Sequence, residues 1–141
     1  MHLALGILLL ITQLSAPGGQ LPQIMSADFK IPPIAAGKVG EVGVSFKVID
    51  GFAINRIPPI QLKLTPVAGV TLRQTDFVST SDDPKSKDEY FVDLPTLKVP
   101  IRAAKAGKYQ ITGKLVYFFC SKADGFCSRQ VIDVKIPMTV Q

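Results

Sequence analysis

Histidine is almost missing from this chain of 141 residues: the single one, His2, stands at the edge of an amino-terminal apolar run. Without a histidine elsewhere, Ser-His-Asp and Cys-His catalysis lose their general base. With two cysteines and three methionines besides, a zinc or copper site is short of its usual ligands. Tryptophan is absent altogether, so the buried Trp that flanks the inter-sheet cysteine pair of antibody domains cannot be present. Nor is there an uninterrupted apolar stretch of the roughly 20 residues that a membrane-spanning helix requires. Charged residues are a modest 19% against 47% hydrophobic, and the 16 basic residues are scattered rather than clustered, which leaves no nucleic-acid footprint. The net charge of +5 reads as a mildly basic solvated surface.

The apolar run "LALGILLLITQL" covers residues 3–14 and then turns small and polar at Ser15, Ala16, Gly18 and Gly19. A secretory signal needs an apolar region of only about 7 to 15 residues, so residues 1–18 are expected to be a cleaved export signal and residues 19–141 the domain. No Lys or Arg precedes the run, which keeps an uncleaved anchor as the alternative. Once the signal is removed, no stable membrane span is expected.

Eleven glycines and eleven prolines are spread along the chain and interrupt any long helix. Between them the hydrophobic period is two. Val42, Val44, Phe46 and Val48 alternate with polar or small residues, as do Ile60, Leu62 and Leu64, and then Val70 and Leu72. Leu97, Val99 and Ile101 repeat the pattern; Tyr109 to Phe119 and Ile132 to Val140 form two longer strands joined by a cysteine-bearing loop. The proline-punctuated lead-in over residues 20–37 is expected along a sheet edge, and residues 79–90 as an exposed loop. Asp82, Asp83, Asp88 and Glu89 in that loop lack the spacing of a dedicated calcium site. The sum is an all-β, immunoglobulin-like antiparallel sandwich of about seven strands with a late hairpin carrying the cysteines.

The stretch "FFCSKADGFC" contains both of them, Cys120 and Cys127. If paired strands enter and leave the loop there, the Cα atoms lie near the cross-strand distance of about 4.5 to 5.5 Å and a disulfide can form. Two roles are open. A staple would remove loop entropy worth roughly 2 to 3 kcal/mol in the chain-entropy model. A working pair would instead use the positive charge of Lys122 and Arg129, which favours thiolate, against the opposing charge of Asp124. Phe118, Phe119 and Phe126 offer either core packing or an apolar surface for a partner.

The carboxy-terminal third, "YQITGKLVYFFCSKADGFCSRQVIDVKIPMTV", resembles the amino-terminal periplasmic domain of the DsbD thiol-disulfide interchange family. Cys120, Gly125, Phe126, Cys127 and the strand through Pro137 carry the likeness, with "LPTLKVPI" agreeing more loosely. The chain departs from that family in a six-residue spacer, where five is the pattern, and in "CSRQ" after the second cysteine.

The resemblance implies an immunoglobulin-like sandwich acting as a periplasmic thiol-disulfide oxidoreductase of the protein-disulfide reductase type, its redox group the Cys120/Cys127 dithiol and its cofactor requirement none. It implies electron transfer from a separate thioredoxin-like protein or membrane thiol transporter to disulfide-containing periplasmic clients, with Cys127 attacking and Cys120 resolving. It also implies an aromatic cap over the disulfide. By order along the chain that is Phe77, with Asp76 its neighbour, although Phe77 reads equally as an ordinary strand residue; Tyr90 is a second option. The rival class is a non-enzymatic binding or assembly module whose cysteines pin the hairpin.

Overall fold

A computed structural model describes residues 21–80 and 88–141. The expected signal segment, residues 1–18, lies outside them, as do Asp82 and Asp83 of the polar loop.

Among the described residues, nine strands form two antiparallel sheets. In chain order they are β1 (Met25–Lys30), β2 (Val39–Val48), β3 (Phe52–Ile54), β4 (Gln61–Thr65), β5 (Val70–Leu72), β6 (Asp76–Val78), β7 (Leu97–Ala103), β8 (Gly107–Ser121) and β9 (Cys127–Val140). One sheet has the order β1-β2-β7-β5. In the other, β8 is central: β9 pairs along one side of it, β4 and β3 follow each other along the other side, and β6 lies beyond β4. This is the immunoglobulin arrangement, four strands A-B-E-D facing C-F-G, with β3 and β6 added. Those two additions, three residues each, account for nine strands where the sequence pattern suggests about seven. The lead-in does run along a sheet edge, as β1.

The period of two becomes the core. Val42, Val44 and Phe46 of β2 and Leu97, Val99 and Ile101 of β7 are buried on one sheet. Ile111, Leu115, Tyr117 and Phe119 of β8 and Val134, Ile136, Met138 and Val140 of β9 are buried on the other. Each such side chain contributes about 1.5–3 kcal/mol by leaving water, offset by the entropy of ordering the chain. Gly113 interrupts the apolar alternation of β8 for a steric reason: a Cβ there would lie 2.4 Å from the Lys63 carbonyl oxygen, so only glycine lets β4 approach.

The two sheets are also joined by a polar clasp. The Met25 N–H donates to the Tyr117 hydroxyl at 2.9 Å, and that hydroxyl donates to the Gln130 side-chain oxygen. The same oxygen accepts from the Ile24 N–H at 2.9 Å, while the Gln130 amide donates to the Pro22 carbonyl at 2.9 Å. Burial, only partly opposed by the Met25 and Ile24 backbone bonds, raises the Tyr117 pKa above its ordinary value. Among the described residues, no helix is long and apolar enough to cross a membrane.

Candidate functional site

Cys120 is the last but one residue of β8 and Cys127 opens β9, and the strand register sets them directly opposite each other. One residue further out, the Ser121 N–H donates to the Phe126 carbonyl at 2.7 Å. Backbone bonds in an antiparallel ladder alternate, so the cysteines occupy the intervening site where backbone groups point away and side chains approach most closely. Their Cα atoms are 4.0 Å apart and their sulfurs are bonded.

The turn beyond them is closed by its own hydrogen bonds. Besides the Ser121 bond, the Gly125 N–H donates to the Ser121 carbonyl at 2.9 Å and the Phe126 N–H to the Asp124 carboxylate at 3.0 Å. Gly125 takes φ of 71°, the left-handed conformation that glycine adopts without steric cost. The Phe126 N–H, followed by the Ser121 hydroxyl, holds the Asp124 pKa below the usual carboxylate value.

The two sulfurs have different surroundings. Cys120 is 4% exposed, whereas Cys127 is exposed to solvent. β3 runs beside Cys120: Ala53 stands opposite it, and on the core face of the sheet Phe52 packs edge-on against Phe119 with ring centroids 5.7 Å apart. The chain just after β3 continues the pairing, since the Asn55 N–H donates to the Phe118 carbonyl at 2.9 Å and the Asn55 side-chain oxygen lies 3.6 Å from the Cys120 sulfur. On the far side of this extension runs the end of the polar loop. The Arg56 N–H donates to the Glu89 carbonyl, the Phe91 N–H donates to the Ile54 carbonyl, and Tyr90 bridges to Asn55.

Of the residues singled out from the sequence, Cys120, Cys127, Phe126 and Lys122 come together at this hairpin tip. Phe126 is 51% exposed, so its ring is available at the surface rather than spent on the core. Lys122 is exposed, with its backbone N–H donated to the Gly51 carbonyl at 2.8 Å. Phe77 and Asp76 lie elsewhere. Phe77 is buried in β6 opposite Leu62, which is itself opposite Leu115. That level is five residues, roughly 16 Å, down β8 from Cys120. Phe77 is thus a core residue of the second sheet, while the aromatic segment at Tyr90 and Phe91 is the one laid beside the strand that runs next to Cys120.

Asn55 was not singled out by sequence reasoning, because the three-residue β3 shows no period and an isolated Asn reads as a turn residue. The available cue was Gly51, whose turn starts β3. Ile49 precedes the turn at Gly51 that receives Lys122, and Ile57 and Val92, 83% and 85% exposed, follow the Arg56–Glu89 and Phe91–Ile54 bonds. No protein-family model and no curated protein matches this chain.

Proposed function

We propose that this chain is an exported thiol-disulfide exchange domain whose redox group is the Cys120/Cys127 pair. The observation that carries the reading is the asymmetry of that pair: an exposed Cys127 beside a Cys120 that is 4% exposed, at a tip whose backbone is closed without the sulfur bond. A staple would be redundant there, whereas an accessible sulfur with a shielded partner is what stepwise exchange requires.

In the reduced domain the Cys127 thiolate attacks one sulfur of a client disulfide. A mixed disulfide forms and the first client thiolate leaves, taking up a proton. Cys120, buried away from other disulfides but in contact with Cys127, then attacks the Cys127 sulfur. The internal disulfide forms and the second client thiol departs. The client gains two electrons and two protons. A thioredoxin-like dithiol or a membrane thiol transporter on another chain restores the reduced pair by the reverse sequence. Lys122 and Arg129 bring positive charge to the neighbourhood that favours thiolate, and the exposed ring of Phe126, next to Cys127 in the chain, offers an apolar group on which such a partner can dock. Tyr90, bridged to Asn55 beside the strand extension next to Cys120, is the candidate for an aromatic cover of the pair. Work outside the reducing cytoplasm, in the periplasm, fits a cysteine pair of this kind.

The test is trapping together with a potential. Cys120→Ser should accumulate a mixed disulfide through Cys127, while Cys127→Ser should accumulate far less. An equilibrium potential against glutathione below about −300 mV, the range of structural disulfides, combined with no trapped adduct in either variant, would overturn the proposal in favour of a binding module with a fixed staple.

A further inference from the structure

The long strand β9 is paired on one side only. Its partner there is β8, over the full 14 residues. The hydrogen bonds at its two ends show which backbone groups point where. Phe126, an even-numbered residue, accepts from Ser121 on the β8 side. Gln141, an odd-numbered one, donates to the Ile34 carbonyl at 2.9 Å and accepts from the Ala36 N–H at 2.7 Å on the outer side. The odd-numbered residues of β9 therefore turn their N–H and C=O groups outward. The Ile34–Ala36 segment covers that outer edge only at its far end, and among the described residues no strand covers residues 127–135. Pro137, the next outward-pointing position after Asp133 and Lys135, has no N–H to offer.

We infer that this open edge is a self-association surface, on which β9 of a second copy pairs antiparallel about a twofold axis at Val131. The residues themselves specify that register. With Val131 opposite its own counterpart, Arg129 faces Asp133 of the partner copy, and Asp133 faces the partner copy's Arg129. Opposite charges thus meet twice, and an apolar side chain that is 41% exposed in the single copy is covered at the centre. Every outward backbone group between Cys127 and Lys135 finds a partner, and the paired window closes before Pro137. A shift of two residues would put Val131 against a charged residue and break both charge pairs. Asp133 already accepts from Lys114 at 2.6 Å across β8 and β9, so in the dimer one carboxylate lies between two cations. An uncovered long edge is otherwise a liability toward unspecific strand addition, and closing it on itself removes that hazard. The pairing does not depend on the redox reading and holds equally if the disulfide is a staple.

Sedimentation equilibrium of the purified protein tests it. The expected species is a concentration-dependent dimer. Val131→Pro deletes an outward N–H and leaves the bonds to β8 untouched, so it should give a folded monomer, its fold checked by circular dichroism. Arg129→Asp places like charges across the axis twice and should weaken association by about tenfold or more. Arg129→Asp combined with Asp133→Arg reverses both pairs and should recover association. A monomer at every concentration would overturn the inference, including one whose 127–135 amides are protected from exchange by a segment of the same chain. So would a dimer indifferent to Val131→Pro, or a double variant no stronger than the single one.

Discussion

The β8–β9 hairpin has a body and a tip that are built on different principles. In the body, from Gly107–Val140 up to Tyr117–Gln130, side chains facing inward are buried and β4 leans against a glycine where no other residue fits. Its one buried hydroxyl is spent on the clasp to Met25 and Gln130. In the tip the backbone bonds are just as regular, yet Cys127, Lys122 and Phe126 are exposed and a sulfur–sulfur bond spans a turn that is already closed. The difference locates stability in the body rather than at the tip.

The sharpest way to break that division is to disturb the body. Gly113→Ala sets a methyl group 2.4 Å from the Lys63 carbonyl, where backbone must move. A loss of about 3 kcal/mol or more is expected by urea unfolding, with the β4 pairing weakened. Tyr117→Phe should come next. It leaves the buried Met25 N–H without its acceptor at 2.9 Å, a cost of about 1–3 kcal/mol. Tyr117 adds a pH signature to this variant. Its folded pKa is raised above 10.0, so its contribution is fully present below that pH and is lost as pH rises beyond it toward the folded value. The gap between native protein and Tyr117→Phe should therefore narrow in alkali.

Reducing the disulfide should have a smaller effect, about 1–2 kcal/mol, below the chain-entropy value because hydrogen bonds already hold the ring. Near-ultraviolet circular dichroism of the reduced protein should keep its native form; a collapse on reduction would erase the distinction between body and tip. Smallest of all is Asp124→Asn. The depressed Asp124 pKa means its contribution is present above the ordinary carboxylate value of 3.8 and disappears as pH falls through the folded pKa. Thermal melts of native and variant protein should differ slightly at neutral pH and converge in strong acid.

What was legible in the sequence follows the same line. Wherever a strand was long enough for the period of two to repeat, as in Val42–Val44–Phe46 or Ile132 to Val140, the alternation gave both the strand and its buried face. Of the three-residue strands, β5 shows one step of the period in Val70 and Leu72, whereas β3 and β6 show no such alternation set apart from their neighbours, and these two are the strands missing from the count of about seven. The cysteine pairing was readable because a hairpin brings its own ends together. The surroundings of Cys120 were not, since Asn55 reaches it through a strand extension that is itself bridged to Tyr90, contacts distant in sequence. Order along the chain pointed to Phe77, but β6 joins the sheet on the far side of β4, and this places Phe77 opposite Leu62 in the core.

The clasp at Tyr117 and Gln130 also bears on how the chain reaches this state. Its bonds join residues 92, 106 and 108 positions apart, and β1 cannot dock on the second sheet until β8 and β9 have both been made. Contacts of such separation put folding among the slow, high-contact-order class, on the scale of milliseconds to seconds. A nascent polypeptide of this design keeps its first strand undocked until β8 and β9 have both emerged, so the clasp is among the last contacts it can make.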